Sequence, residues 1–114
     1  MAEWDEMSER ERDVWLWVNA IGCSEPEWDD GEPVFPMTPS VTLPHYTTDL
    51  SAAWRVVEKA DAFILVKAEM DGATFYQAQL AFGDREGVYN YGDSMADAIT
   101  HAAYLAVEGA KRDA

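Results

Sequence analysis

The chain has 114 residues, 48% of them apolar, and carries 22 acidic against 8 basic side chains, a formal charge of −14. One domain of this size buries a single modest core, and the apolar fraction excludes a disordered polyelectrolyte. The charge repels phosphate backbones, which excludes direct nucleic-acid binding and favours encounters with basic partners.

Half of the acids fall within residues 1–34, opposed only by Arg10 and Arg12. Cys23 is the sole cysteine, so neither an internal disulfide nor a multi-cysteine zinc site is available. No apolar run is long enough to span a bilayer, and the N-terminus is acidic where a signal peptide is basic. A cytoplasmic protein of the host cell, with no membrane contact, is expected.

The first helix opens at Ser8, with Glu11 three residues on as a capping box. Val14, Trp17, Val18 and Ile21 recur at helical spacing, and Gly22 ends the helix. Trp15 and Leu16 lie off that stripe, either widening the buried face or meeting another surface. The surplus tryptophans here (Trp4, Trp15, Trp17, Trp28) point to a homodimer through the first helix.

Residues 23–46 hold all five prolines, Pro26, Pro33, Pro36, Pro39 and Pro44, which excludes a long helix or a central strand. The segment is expected to lie extended over the body and to pair briefly with a sheet edge. Within it, SEPEWDDGEPVFP (24–36) sets Trp28 and Phe35 among Glu25, Glu27, Asp29, Asp30 and Glu32. A solvated acidic loop is the simplest reading. The sharper one is a partner-binding surface, because aromatics anchor interfaces and prolines limit the entropy lost on docking.

A second helix begins after Thr47, Thr48 and Asp49, each a competent cap, with Leu50, Ala53, Trp54 and Val57 as its stripe. AFILVKAEM (62–70) and ATFYQAQLAF (73–82) read as strands joined by an Asp71-Gly72 hairpin turn. GDREG (83–87) reads as a further turn and VYNY (88–91) as a short third strand. Ser94, with Asp97 three residues on, caps a last helix whose stripe is Met95, Ile99, Ala102 and Ala106, widened by Leu105. The predicted fold is a single α+β domain over 1–114, ordered α-loop-α-β-β-β-α. Its three-stranded antiparallel sheet is packed by helices.

LPHYTTDLSAAWRVVEKA (43–60) resembles the signature of small tailed-phage and prophage proteins, the phage ABA-sandwich domain family. Tyr46, Thr47, Thr48, Asp49, Leu50, Ala52, Ala53, Trp54, Val56, Val57, Glu58 and Lys59 carry the match. YGDSMADAITHAAYLAV (91–107) is similar to the family's closing alanine-rich helix, and Ile21-Gly22 to the end of its opening helix. The resemblance implies an α/β/α sandwich of phage or prophage origin and implies no reaction. The acidic, proline-rich segment departs from the family pattern.

No catalytic motif, metal motif or cofactor is expected. An EF-hand register starting at Glu25 puts Asp30 at its sixth position and Pro36 at its twelfth, where glycine and glutamate are required. Cys23, His45 and His101 are scattered, and no nucleophile motif, phosphate loop or dinucleotide fingerprint occurs. The leading expectation is a non-enzymatic accessory protein that binds a host protein with a basic surface. In its specific form it inhibits a nucleic-acid-handling defence system, a CRISPR effector or a restriction enzyme, by presenting carboxylates where phosphates would sit. One alternative is a small-molecule binder that sequesters a signalling nucleotide. Tyr46, Trp54 and Tyr91 would stack the base, and Arg55, Arg85 or Lys67 would meet its phosphates. The other is a structural or assembly role in the virion.

Overall fold

A computed structural model describes residues 3–38, 41–83, 85–86 and 90–113; Pro39, Gly87, Val88 and Tyr89 lie outside them. Ser8 caps the first helix, α1 (Glu9–Leu16), as its sequence requires: its hydroxyl accepts from the Glu11 N–H at 3.2 Å, and the Glu11 carboxylate accepts from the Ser8 N–H at 3.1 Å. The helix widens into a π-helical turn, Trp17–Ile21, and stops at Gly22 with φ 90°, a conformation that disfavours any side chain.

Burial on α1 departs from the predicted stripe. Val14, Trp17, Val18 and Ile21 are half-buried, whereas Asp13 and Leu16 are enclosed. Trp15 widens the inward face, meeting Tyr104 at 5.0 Å and Trp4 at 6.3 Å between ring centroids. Trp4 is itself buried against Tyr104. The N-terminal tryptophans are thus largely absorbed by their own fold. The excess aromatic surface that motivated a first-helix dimer is reduced to Trp28.

The proline-rich segment does not pair with the main sheet. Glu27–Asp29 (β1) and Glu32–Val34 (β2) form a separate antiparallel hairpin. Its turn residues Asp30 and Gly31 have φ 51° and 78°, the same Asp-Gly chemistry that turns the chain at Asp71-Gly72. The two-residue turn satisfies the hairpin's backbone locally, so no sheet edge is needed.

Asp49 caps α2 (Leu50–Lys59) by accepting from the Ser51 N–H at 3.0 Å. The buried positions are Ala52, Ala53, Val56 and Val57. Leu50 and Trp54 lie outside, so the predicted stripe is rotated toward the smaller residues that permit close helix contact.

β3 (Ala62–Met70) and β4 (Ala73–Phe82) pair along their full lengths about the Asp71-Gly72 turn. Arg85 and Glu86, read from sequence as a turn, instead form β5 (Arg85–Glu86) against Phe82 and Ala81. β6 (Asn90–Gly92) pairs with Tyr76 to Ala78 further along β4. The third strand of the meander is therefore made in two pieces beside β4.

α3 (Met95–Asp113) starts as predicted, with the Ser94 hydroxyl accepting from the Asp97 N–H at 3.1 Å. It is buried nearly all round. Ala98, Ile99, Ala102, Ala103, Ala106 and Val107 are all enclosed, because α3 runs between the sheet and the layer formed by α1 and α2. Its alanines let both neighbours approach closely. Cross-strand register puts Leu65, Ala78, Leu80 and Phe82 on the sheet face that meets α3. The helices that pack on the sheet among the described residues are stacked on this side, and the opposite face is open.

Candidate functional site

The acidic hairpin is an anchored structure. Trp17 holds both of its ends: the indole N–H donates to the Ser24 carbonyl at 2.9 Å, and the ring meets Phe35 with centroids 5.6 Å apart. Pro33 is buried.

Arg10 holds the middle and ties it to the chain that follows. Its Nε donates to Glu32 Oε2 at 3.3 Å and its Nη1 to Asp13 Oδ2 at 2.8 Å. Nη2 donates to the Leu43 carbonyl at 3.1 Å, and Nη1 also reaches the Pro44 carbonyl at 3.4 Å and His45 Nδ1 at 3.1 Å. Asp13 completes the node by accepting from both the N–H and the hydroxyl of Thr47, each at 3.0 Å. One cation thus joins α1, β2 and residues 43–45, and its carboxylate partner joins the approach to α2.

Alternation along the hairpin puts Glu27, Asp29 and Glu32 on one face and Trp28 with Pro33 on the other. Glu27 and Asp29 are about 7 Å apart along the strand, and Asp29 stands directly opposite Glu32. Like charges at facing positions are destabilising. Arg10 relieves the pair at Glu32, while Glu25, Glu27, Asp29 and Asp30 remain exposed. Trp28 is 47% exposed and is the free aromatic of the hairpin; Phe35, packed on Trp17, is half-buried. Chemically the hairpin presents carboxylates on one face and one exposed indole on the other. A groove of about 390 Å³ beside it, between β2 and residues 41–45, has Arg10 among its lining residues, already engaged.

The residues assigned to nucleotide binding are not brought together. Tyr46 is 1% exposed within the core, its phenol pushed up to about 12 by burial first and by neighbouring Cys23 next, with Arg55 opposing. Its ring is therefore closed to a stacking ligand. Trp54 meets Phe63 edge-on at 5.8 Å, at the β3 side of the sheet. Tyr91 stands 66% exposed on β6, and Arg55 and Lys67 are exposed on α2 and β3. Arg85 belongs to β5.

His101 is half-buried and stacks on Trp4 with centroids 5.8 Å apart and planes 7° from parallel. Burial holds its pKa below the usual imidazole range, against the carboxylates of Asp5 and Asp97. Among the described residues no three His, Cys, Asp or Glu side chains converge as a metal site, and no helix is long and apolar enough to cross a membrane. Sequence reasoning missed the Arg10–Asp13 node. Its one signal was that only two basic residues, Arg10 and Arg12, stand within the acidic N-terminal third.

Comparison with known proteins gives the following. The crystal structure, at 2.0 Å, of a phage protein from Bacillus cereus ATCC 14579 aligns with a TM-score of 0.69 at 18% identity. The alignment covers 94% of this chain and 99% of that one, a likeness of fold. No curated protein matches. The family model described as the phage ABA sandwich domain matches residues 34–104, beginning after the last carboxylate of the hairpin. The chain belongs to the phage ABA sandwich domain family.

Proposed function

We propose that this chain is a non-enzymatic phage accessory protein whose acidic hairpin docks on the basic surface of a host nucleic-acid-handling protein and inhibits it. The reading rests on one observation. Glu27, Asp29, Asp30 and Glu32 are mounted on a hairpin held by Arg10 and Trp17, Glu25 leads into it, and all five precede the part of the chain that matches its family. Crowding like charges on a short hairpin works against folding, and the fold offsets this at Glu32 by supplying Arg10. An ordered array of carboxylates loses little conformational freedom on docking. Its carboxylates then pair with the Lys and Arg of a basic groove that otherwise meet phosphates, most strongly at low salt. Trp28, in this reading, is the apolar anchor.

The test is capture of host nucleic-acid-binding proteins from lysate on the immobilised chain. A bound effector is then assayed for nuclease activity with and without the chain. Neutralising Glu25, Glu27, Asp29, Asp30 and Glu32 to their amides should abolish both capture and inhibition. Retention by the neutralised chain, or failure of the native chain to hold any such protein at low salt, rejects the proposal.

A further inference from the structure

The face of the sheet turned away from α3 is unusual for so acidic a protein. Register places Ala62, Ile64, Val66, Ala68 and Met70 of β3 on it. From β4 it takes Ala73, Phe75, Gln77, Gln79 and Ala81, and from β6 Tyr91. Among the described residues its one charged register position is Glu86, at its end, opposite Ala81. Its large side chains are open: Ile64 is 48% exposed, Met70 63%, Phe75 41% and Tyr91 66%. Met70, Phe75 and Tyr91, with Ala68 and Gln77, surround a shallow depression of about 480 Å³. Phe75 and Tyr91 alone leave roughly 200 Å² of ring surface in water, and contiguous apolar patches of a few hundred Å² mark interaction sites.

We propose that this face is a self-association surface on which a second copy of the chain stacks sheet against sheet about a two-fold axis. Three features select a second copy. The first is charge: each chain carries −14, and a nearly uncharged face is where two copies meet with the fewest new like-charge contacts. A basic partner, by contrast, would find nothing there to pair with. The second is shape. Large residues (Ile64, Met70, Phe75, Tyr91) are interspersed with small ones (Ala62, Ala68, Ala73, Ala81), so the face carries both projections and the recesses to receive them from a second copy. Gln77 and Gln79, each both donor and acceptor, suit a surface that must complement itself.

The third feature is area. Nine paired residues on each of β3 and β4, with the two of β5 and three of β6 beside them, span a footprint of about 370 Å². Projecting side chains raise this to roughly 500–600 Å² of accessible surface per copy, and so to about 1,000–1,200 Å² for the pair, at the lower bound of a specific interface. An interface this small belongs with weak, reversible associations. It leaves the acidic hairpin outside the contact and stands independently of the function proposed above.

Sedimentation velocity of the full chain from about 1 µM to about 500 µM provides the test, since mass action then carries the chain from monomer to dimer. Raising salt should tighten the dimer several-fold, because it screens repulsion between the acidic subunits. Met70→Lys and Tyr91→Lys, at well-exposed positions that leave the core intact, should each weaken it by roughly tenfold or more while the circular dichroism spectrum is unchanged. Trp28→Ala should leave it unaltered. The proposal is overturned by a monomer at the highest concentration, by a dimer that loosens with salt, or by a dimer that survives both lysine variants or is lost with Trp28→Ala.

Discussion

Asp13→Ala removes the carboxylate that ties α1 to the start of α2. Asp13 is fully buried, and its Oδ1 is the acceptor for the Thr47 N–H and hydroxyl, while Oδ2 faces Arg10 at 2.8 Å. Alanine leaves that N–H and hydroxyl unpaired, each costing about 1–3 kcal/mol. Arg10 loses its buried counter-charge but keeps the Leu43 and Pro44 carbonyls and the exposed Glu32, so its share falls well below the 3–5 kcal/mol typical of a broken buried pair. The expected loss is about 4 kcal/mol, a large part of the stability of a domain this size. Asp13→Asn retains an oxygen for Thr47 but turns a donor NH2 toward the Arg10 guanidinium, losing both the charge and the acceptor there, for about 2–3 kcal/mol. Urea unfolding followed by tryptophan fluorescence at low micromolar concentration reads both values. With a slope near 1.5 kcal/mol/M the alanine variant's midpoint should fall by roughly 2–3 M. An alanine variant within about 1 kcal/mol of the native chain at unchanged slope, or an asparagine variant no better than alanine, would refute this account of the node.

Three further outcomes are expected. Burial raises the Tyr46 pKa from 10.0 to about 12. Between those values the unfolded chain has lost a proton that the folded chain keeps, so stability falls as pH rises through this window. Relative to Tyr46→Phe, the native chain should lose stability there, on the order of 3 kcal/mol at most, measured by urea unfolding. His101 shifts the opposite way: its folded pKa is lowered by burial, so its contribution is present above the ordinary value near 6.5 and is lost as pH falls below it. Its ring resonances should accordingly titrate below that value by NMR. Finally, a Cβ on Gly92 would stand 2.5 Å from the Ala98 nitrogen and 2.8 Å from its Cα, both backbone atoms. Gly92→Ala should therefore cost about 1–3 kcal/mol, seen as a fall in Tm of roughly 5–15 °C.

The family was legible before any coordinates, because caps and apolar spacing around residues 43–60 and 91–107 specify helices locally, and both ends of the long hairpin at 62–82 were read to the residue. The Asp30-Gly31 hairpin was equally legible from its turn pair and was masked by the prolines, which suggested an irregular path. Edge positions tolerate proline when the partner strand needs no donor there, and a two-stranded hairpin is all edge.

What local pattern could not decide is which helical residues would be enclosed. Asp13 and Leu16, rather than the stripe through Val14 and Trp17, face inward because residues 43–47 fold back across α1, a contact more than 30 residues away in sequence. Tyr46 reads as a stacking platform in the sequence and is sealed in the core by that same return. The sequence by itself determined the elements, the caps, the family and the concentration of charge, since each depends on neighbours within a few turns of chain. Only the tertiary structure decided that Arg10 gathers the acidic hairpin onto α1 and that one sheet face is left bare, because both follow from how distant segments divide a limited interior among themselves.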